Sequence, residues 1–222
     1  MPIKRTSEPS NSIPAVVGFR VKSGWASVVV LGGSLRTPSL LYRGRVELSD
    51  PRVPRSRQPY HAGFGTLQKD NGVLRRLVEL VHRCTQRSMA ALMRQCRSQG
   101  YAPRAVALVV GSTIEPDTIS NEHIRAHAHE AQLFRTALES GARRQHLACR
   151  VIRERDITAA ATVELRRSRR AITKFIANLG RAAGKPWRSE QKTAVIAAWL
   201  VLAQSLGTQR PNQRLKLTAR VD

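Results

Sequence analysis

The sequence predicts an α/β domain whose mixed sheet has about five strands, three antiparallel ones first and βα units after, with helices on both faces. Three observations lead there. Two extended apolar runs flank Ser23-Gly24 in "AVVGFRVKSGWASVVVL", the pattern of a hairpin. "AVALVVG" is a continuous apolar run, as expected of a strand covered on both faces. Between and after these lie segments whose apolar residues recur at helical spacing.

In chain order, a third strand is expected in "SLLYRGRVELS", supported by Leu41, Val46 and Leu48. "DPRVPRSRQPYHAGFG" follows as a long loop rich in Pro and Arg, expected to be mobile. A first helix starts after the Asp70-Asn71-Gly72 turn. It carries Leu74, Leu77, Val78, Val81, Cys84 and Cys96 on one face and stops at Gly100. After "AVALVVG" a second helix is expected from about Ser120 to Ser140, then a strand in "HLACRVIRE". "DITAAATVELRRSRRAITKFIANLG" reads as one long helix ending at Gly180, and "KPWRSEQKTAVIAAWLVLAQSLG" as the last, with Pro186 near its start and Gly207 at its end. The expected domain spans residues 15–207, between a loose tail over 1–14 and a disordered basic tail over 208–222.

The 222 residues carry 38 Lys and Arg against 15 Asp and Glu, a formal charge of +23, which points to an anionic partner and above all to nucleic acid. Cys84, Cys96 and Cys149 form no CxxC pair and suit a reducing compartment. The longest apolar run, Ala194 to Ala203, is too short to span a bilayer, and no secretory signal is visible, so a cytoplasmic protein without a membrane partner is expected. There is no phosphate-binding GxxxxGK[ST] loop, no GxGxxG fingerprint and no nucleophile elbow.

Four words narrow the fold further: "VVG" at Val109–Gly111, "FRTALES" at Phe134–Ser140, "VIRERDITAAA" at Val151–Ala161 and "SEQKTAVIAAWLVL" at Ser189–Leu202. In this order and spacing, over roughly residues 15–203, the chain resembles the pre-16S rRNA processing nucleases, also called putative Holliday-junction resolvases, of the ribonuclease H-like superfamily. That resemblance implies a site of acidic residues holding divalent ions, Mg or Mn, for phosphodiester hydrolysis. On this chain the family's Glu-Arg word matches Glu154-Arg155, and its last acid matches Glu190. Its first Asp, in mid-strand, is replaced by Arg20 in "GFRVKSG". A guanidinium has no lone pair to give a metal. A buried cation needs a partner, and the expected partners of Arg20 are Glu130, Glu154 and Glu190. Those four residues are the candidate catalytic positions.

"NEHIRAHAHE", residues 121–130, holds three histidines and two glutamates. On a helix, His123, His127, Glu130, Phe134 and Leu138 share one face, polar at first and apolar later. His123, His127 and Glu130 are therefore candidate metal ligands. A phosphate or substrate crevice, or ordinary hydrogen-bonded histidines, would use the same pattern. Arg166, Arg167, Arg170 and Lys174 would lie together on the face opposite Leu165, Ile172, Ile176 and Leu179. Such a stripe suits a phosphate backbone. Arg55 and Arg57 extend the nucleic-acid candidates, with Tyr60 beside them as a base-stacking ring. The lead reading is a nucleic-acid-associated protein with a nuclease-like domain and a degenerate or rebuilt centre. The alternatives are an active metal-dependent nuclease and a small-ligand or phosphate-binding domain.

Overall fold

The computed structural model describes residues 12–63 and 65–207; both expected tails lie largely outside them. Strands β1 (Ile13–Lys22), β2 (Trp25–Gly33) and β3 (Pro38–Glu47) form the antiparallel meander. A short hairpin follows, β4 (His61–Gly63) and β5 (Thr66–Leu67). Then come α1 (Asn71–Ser98), β6 (Tyr101–Val110), α2 (Glu122–Arg144), β7 (Ala148–Arg153), α3 (Ile157–Glu164), α4 (Arg169–Ala183) and α5 (Ser189–Gly207). The main sheet has five strands in the order β3-β2-β1-β6-β7, with β6 parallel to β1 and β7 parallel to β6. No helix among the described residues is long and apolar enough to cross a membrane.

Strand β1 is buried on both faces, and its residues alternate between two cores. Ala15, Val17, Phe19 and Val21 join α1 and α2 residues such as Met93, Phe134 and Leu138. Val16 packs on the other side with Val109, Ala194, Ala198 and Trp199. Gly18 shares that second face, and α5 crosses directly over it. A methyl group on Gly18 would overlap the Ala194 carbonyl oxygen and stand 2.9 Å from the Ala198 methyl. The helix starts are set by local chemistry: Asp70 accepts from Val73 N–H (2.9 Å), Asn121 from Ile124 N–H (3.0 Å) and Ser168 from Ala171 N–H (3.2 Å).

Two expectations are corrected. The segment after Glu154 is not one helix. Arg166 takes a positive φ of 52°, Ser168 caps a new helix, and α4 runs on past Gly180 to Ala183. The basic stripe is thereby divided: Arg170 and Lys174 stand on α4, whereas Arg166 and Arg167 sit in the turn before it.

The Pro- and Arg-rich loop, expected to be mobile, is tied down. Gly24, at φ +81°, closes the first hairpin, and its carbonyl accepts from Leu48 N–H (2.9 Å) and Ser49 N–H (3.1 Å). Asp50 N–H donates to the buried Ser56 hydroxyl (3.0 Å), and Asp50 Oδ1 accepts from Arg52 N–H (2.9 Å). Gln68 N–H then closes on the Tyr60 carbonyl at 2.8 Å, fixing the small hairpin.

Two outcomes are expected. Gly18→Ala should destabilise the fold by about 1–3 kcal/mol, read from urea unfolding, because the obstruction is backbone. The Arg52 side chain, then its backbone N–H, hold the Asp50 carboxyl at about 2, below the usual 3.8. A depressed folded-state value stabilises fully above the ordinary carboxylate range and is lost as pH falls toward 2. Asp50→Asn should accordingly flatten the acid limb of the stability profile below about pH 4.

Candidate functional site

Arg20 is two residues beyond Gly18 on β1, so alternation places it on the α5 side of the sheet. Strand β7 ends at Arg153 and turns through Glu154–Asp156 into α3, which delivers Glu154 to the same place. The two side chains meet in a fork: Arg20 Nε donates to Glu154 Oε1 at 2.8 Å and Arg20 Nη2 to Oε2 at 2.5 Å. Arg20 Nη1 donates to the Val21 carbonyl at 2.6 Å. The guanidinium is thus satisfied on three sides in a side chain only 7% exposed, while Glu154 remains 46% exposed. Bidentate pairing of this kind is the strong form of the ion pair.

A second pair lies alongside. Lys22, on the same face two residues on, approaches Glu190 at the start of α5 (Nζ to Oε1, 3.9 Å). The Glu190 carboxyl is held below its usual range chiefly by its own backbone N–H at the helix start, then by the Ser189 hydroxyl and by the charges of Lys22 and Arg20. Lys22 was absent from the expected site, although its spacing from Arg20 on a strand was the available signal.

Glu130 is not part of this arrangement. Helix α2 packs on the opposite side of the sheet with Phe19 and Val21, so the face that carries Phe134 and Leu138 turns Glu130 away from Arg20. Glu130 is fully buried and pairs instead with His61, Nδ1 to Oε1 at 2.7 Å. Its second oxygen lies 3.7 Å from His127 Nδ1. Burial pushes the Glu130 carboxyl up, against the opposing pull of His61. Burial, then the neighbouring His61 and His123, lower His127. The expected face of His123, His127 and Glu130 is therefore real, and it gains His61 from the small hairpin. The ring centroids of His61, His123 and His127 are 4.6–5.4 Å apart. A tight-turn signal, Gly63 and Gly65 just after Tyr60-His61, was present in the sequence.

The cationic candidates differ in availability. Arg55, Arg57, Arg166, Arg170 and Lys174 are exposed. Arg167 is engaged within the chain: it donates to the Arg36 carbonyl at 2.7 Å and lies 5.2 Å over the Trp199 ring. Tyr60 has one ring face stacked on His129, centroids 4.7 Å apart, which leaves it a reduced surface for a base.

The Arg20–Glu154 pair should respond asymmetrically to mutation. Glu154→Ala strands a buried guanidinium and should cost about 3–5 kcal/mol. Arg20→Met leaves a half-exposed carboxylate that water can solvate, and should cost on the order of 1 kcal/mol or less. Equal losses in denaturant unfolding would contradict the geometry.

No family model matches the chain, and no curated protein is significantly similar to it in sequence. Solved structures do match. The chain is similar to Thermus thermophilus RuvC, with 12% identity, a TM-score of 0.53, and coverage of 87% of this chain and 97% of that one. It is equally similar to T. thermophilus RuvC in complex with a Holliday junction substrate, at 13% identity, TM-score 0.53, 87% and 96% coverage. The yeast mitochondrial Holliday junction resolvase Ydc2 matches more loosely, at 10% identity and TM-score 0.45, over 91% of this chain and 84% of that one. With three antiparallel strands followed by two parallel ones and helices on both faces, the chain has the ribonuclease H-like fold.

Proposed function

We propose that the protein binds structured nucleic acid through its nuclease-like domain, and that the centre at the ends of β1 and β7 is an ion-pair cluster rebuilt from a metal site. The observation that carries this reading is the Arg20–Glu154 fork on this fold. A metal-dependent nuclease needs converging carboxylates with charge to spare. Here Arg20 and Lys22 neutralise Glu154 and Glu190 one for one. A Mg²⁺ or Mn²⁺ ion at Glu154 would share that carboxylate with the buried Arg20 guanidinium and be repelled by it, so the residues present do not fit such an ion.

Nucleic acid as the partner is supported by the formal charge of +23, by exposed Arg55, Arg57, Arg166, Arg170 and Lys174, and by the RuvC complex with a Holliday junction as a precedent on this fold. Binding of this type is dominated by phosphate contacts and weakens with salt. Fluorescence anisotropy with a four-way DNA junction, across a salt series, tests it. The full chain should bind, with log affinity falling linearly against log salt. Gln at Arg166, Arg170 and Lys174 together should reduce the slope by about 2–3. The junction should stay intact in Mg²⁺ or Mn²⁺. Salt-insensitive binding, or none, sinks the nucleic-acid reading. Cleavage that disappears in Glu154→Gln identifies an active nuclease instead.

A further inference from the structure

The histidine cluster at the start of α2 has no part in the ion-pair centre, and it is built from two separate elements. His123 and His127 lie one turn apart on α2, and β4 brings His61 against them. One ring nitrogen from each of the three can be chosen so that all lie within 4.8 Å of one another. His61 is the informative member. Its Nδ1 is committed to Glu130 at 2.7 Å, which leaves Nε2 for anything else. That nitrogen is buried, in a side chain 9% exposed, and no hydrogen-bond partner for it exists among the described residues. A buried polar atom left in this way is costly and calls for a partner. The Glu130 contact supplies the rest: when Nδ1 carries the proton and donates to the carboxylate, Nε2 keeps a lone pair for a ligand, in a ring whose centroid lies 4.6 Å from that of His127 and 5.4 Å from that of His123.

We propose that His61, His123 and His127 bind a zinc-class divalent ion, with Glu130 behind His61 as the carboxylate that orients it. Imidazole donors suit zinc and its transition-metal neighbours, whereas magnesium and calcium prefer oxygen. A histidine that gives one nitrogen to a metal commonly gives the other to a carboxylate, which fixes the tautomer and raises the basicity of the ligand. Tetrahedral bonds of ~2.1 Å place nitrogens ~3.4 Å apart. His127, 48% exposed and in the first turns of its helix, has the freedom to close the remaining distance. Three protein ligands leave a fourth position. The same residues line a cleft with Pro54, Arg55 and Gln58, so that position faces solvent beside a cation, where water or an anionic oxygen completes the shell. The carboxylate first expected to be a ligand, Glu130, thus acts one step removed from the ion. The inference stands independently of nucleic-acid binding.

The test is metal uptake by the full chain after chelator treatment, followed by titration calorimetry with Zn²⁺ and visible spectroscopy with Co²⁺. One ion per chain and the intense absorption of tetrahedral Co²⁺ are expected. His127→Ala, at an exposed position that spares the fold, should weaken Zn²⁺ binding at least ten-fold. Glu130→Gln keeps all three ligands and should weaken it by about 10–100-fold. His82→Ala, on α1, should bind as the parent does. The proposal is overturned if the parent takes up no Zn²⁺ or Co²⁺ at micromolar concentration. It is equally overturned if His127→Ala and Glu130→Gln, shown to be folded by circular dichroism, bind Zn²⁺ as tightly as the parent.

Discussion

Double-sided burial of β1 is the constraint on which the rest of the molecule depends. A strand covered on both faces sends successive residues to different helices, so each position on β1 belongs to one layer only. Phe19 and Val21 serve the α1–α2 layer, while Val16 serves α5. Gly18 lets the α5 backbone come close, and that approach brings the start of α5 to the end of β1. Arg20 and Lys22 then emerge on the α5 side with Glu154 and Glu190 as their nearest acids. The same alternation separates them from Glu130. An ion-pair centre and a histidine cluster consequently occupy one domain without sharing a residue.

The energetic character of the ion-pair centre follows from unequal burial. A guanidinium withdrawn from water loses hydration that only well-aimed acceptors restore. Arg20 has three such contacts. Glu154 sits in the turn after β7 and keeps access to solvent, so its charge costs less to hold there. The fork therefore anchors the β7–α3 turn to the middle strand of the sheet and ties together distant parts of the chain.

Most of the fold was legible because the sequence signals were periodic. The apolar faces of α1 and α2, the last helix at α5, the Ser23-Gly24 turn and the continuous apolar run of β6 all reappear as expected. The break between α3 and α4 was hidden by the same kind of signal. Leu165, Ile172, Ile176 and Leu179 keep a helical interval across it, and their burial against α5 and its neighbours preserves that interval even though Arg166 leaves the helical conformation. Ser168 was the local sign of a new start, since Ser is a strong N-cap residue. The partnership of Arg20 with Glu154 was readable from the need of a buried cation for an acid. The exclusion of Glu130 required knowing which side of the sheet α2 covers, which no local pattern states.

His61 shows where composition misleads. A segment rich in Pro and Arg reads as unstructured, yet its apolar content is not what orders it. Order comes from backbone groups finding partners: Asp50 and Ser56 close one turn, the Gly24 carbonyl takes two donors from Leu48 and Ser49 just after β3, and Gln68 closes on Tyr60. Once that ladder is fixed, Tyr60 stacks on His129 and His61 reaches Glu130, both on α2. The loop is thereby clamped to the helix by two consecutive side chains, Tyr60 and His61. The buried carboxylate on α2 takes its short contact from outside its own helix, because Phe134 and Leu138 offer no donor and His127 Nδ1 stays 3.7 Å away. The burial of Glu130 and the order of the loop are two sides of one requirement, and the ring nitrogens of the histidine cluster are brought together as its consequence.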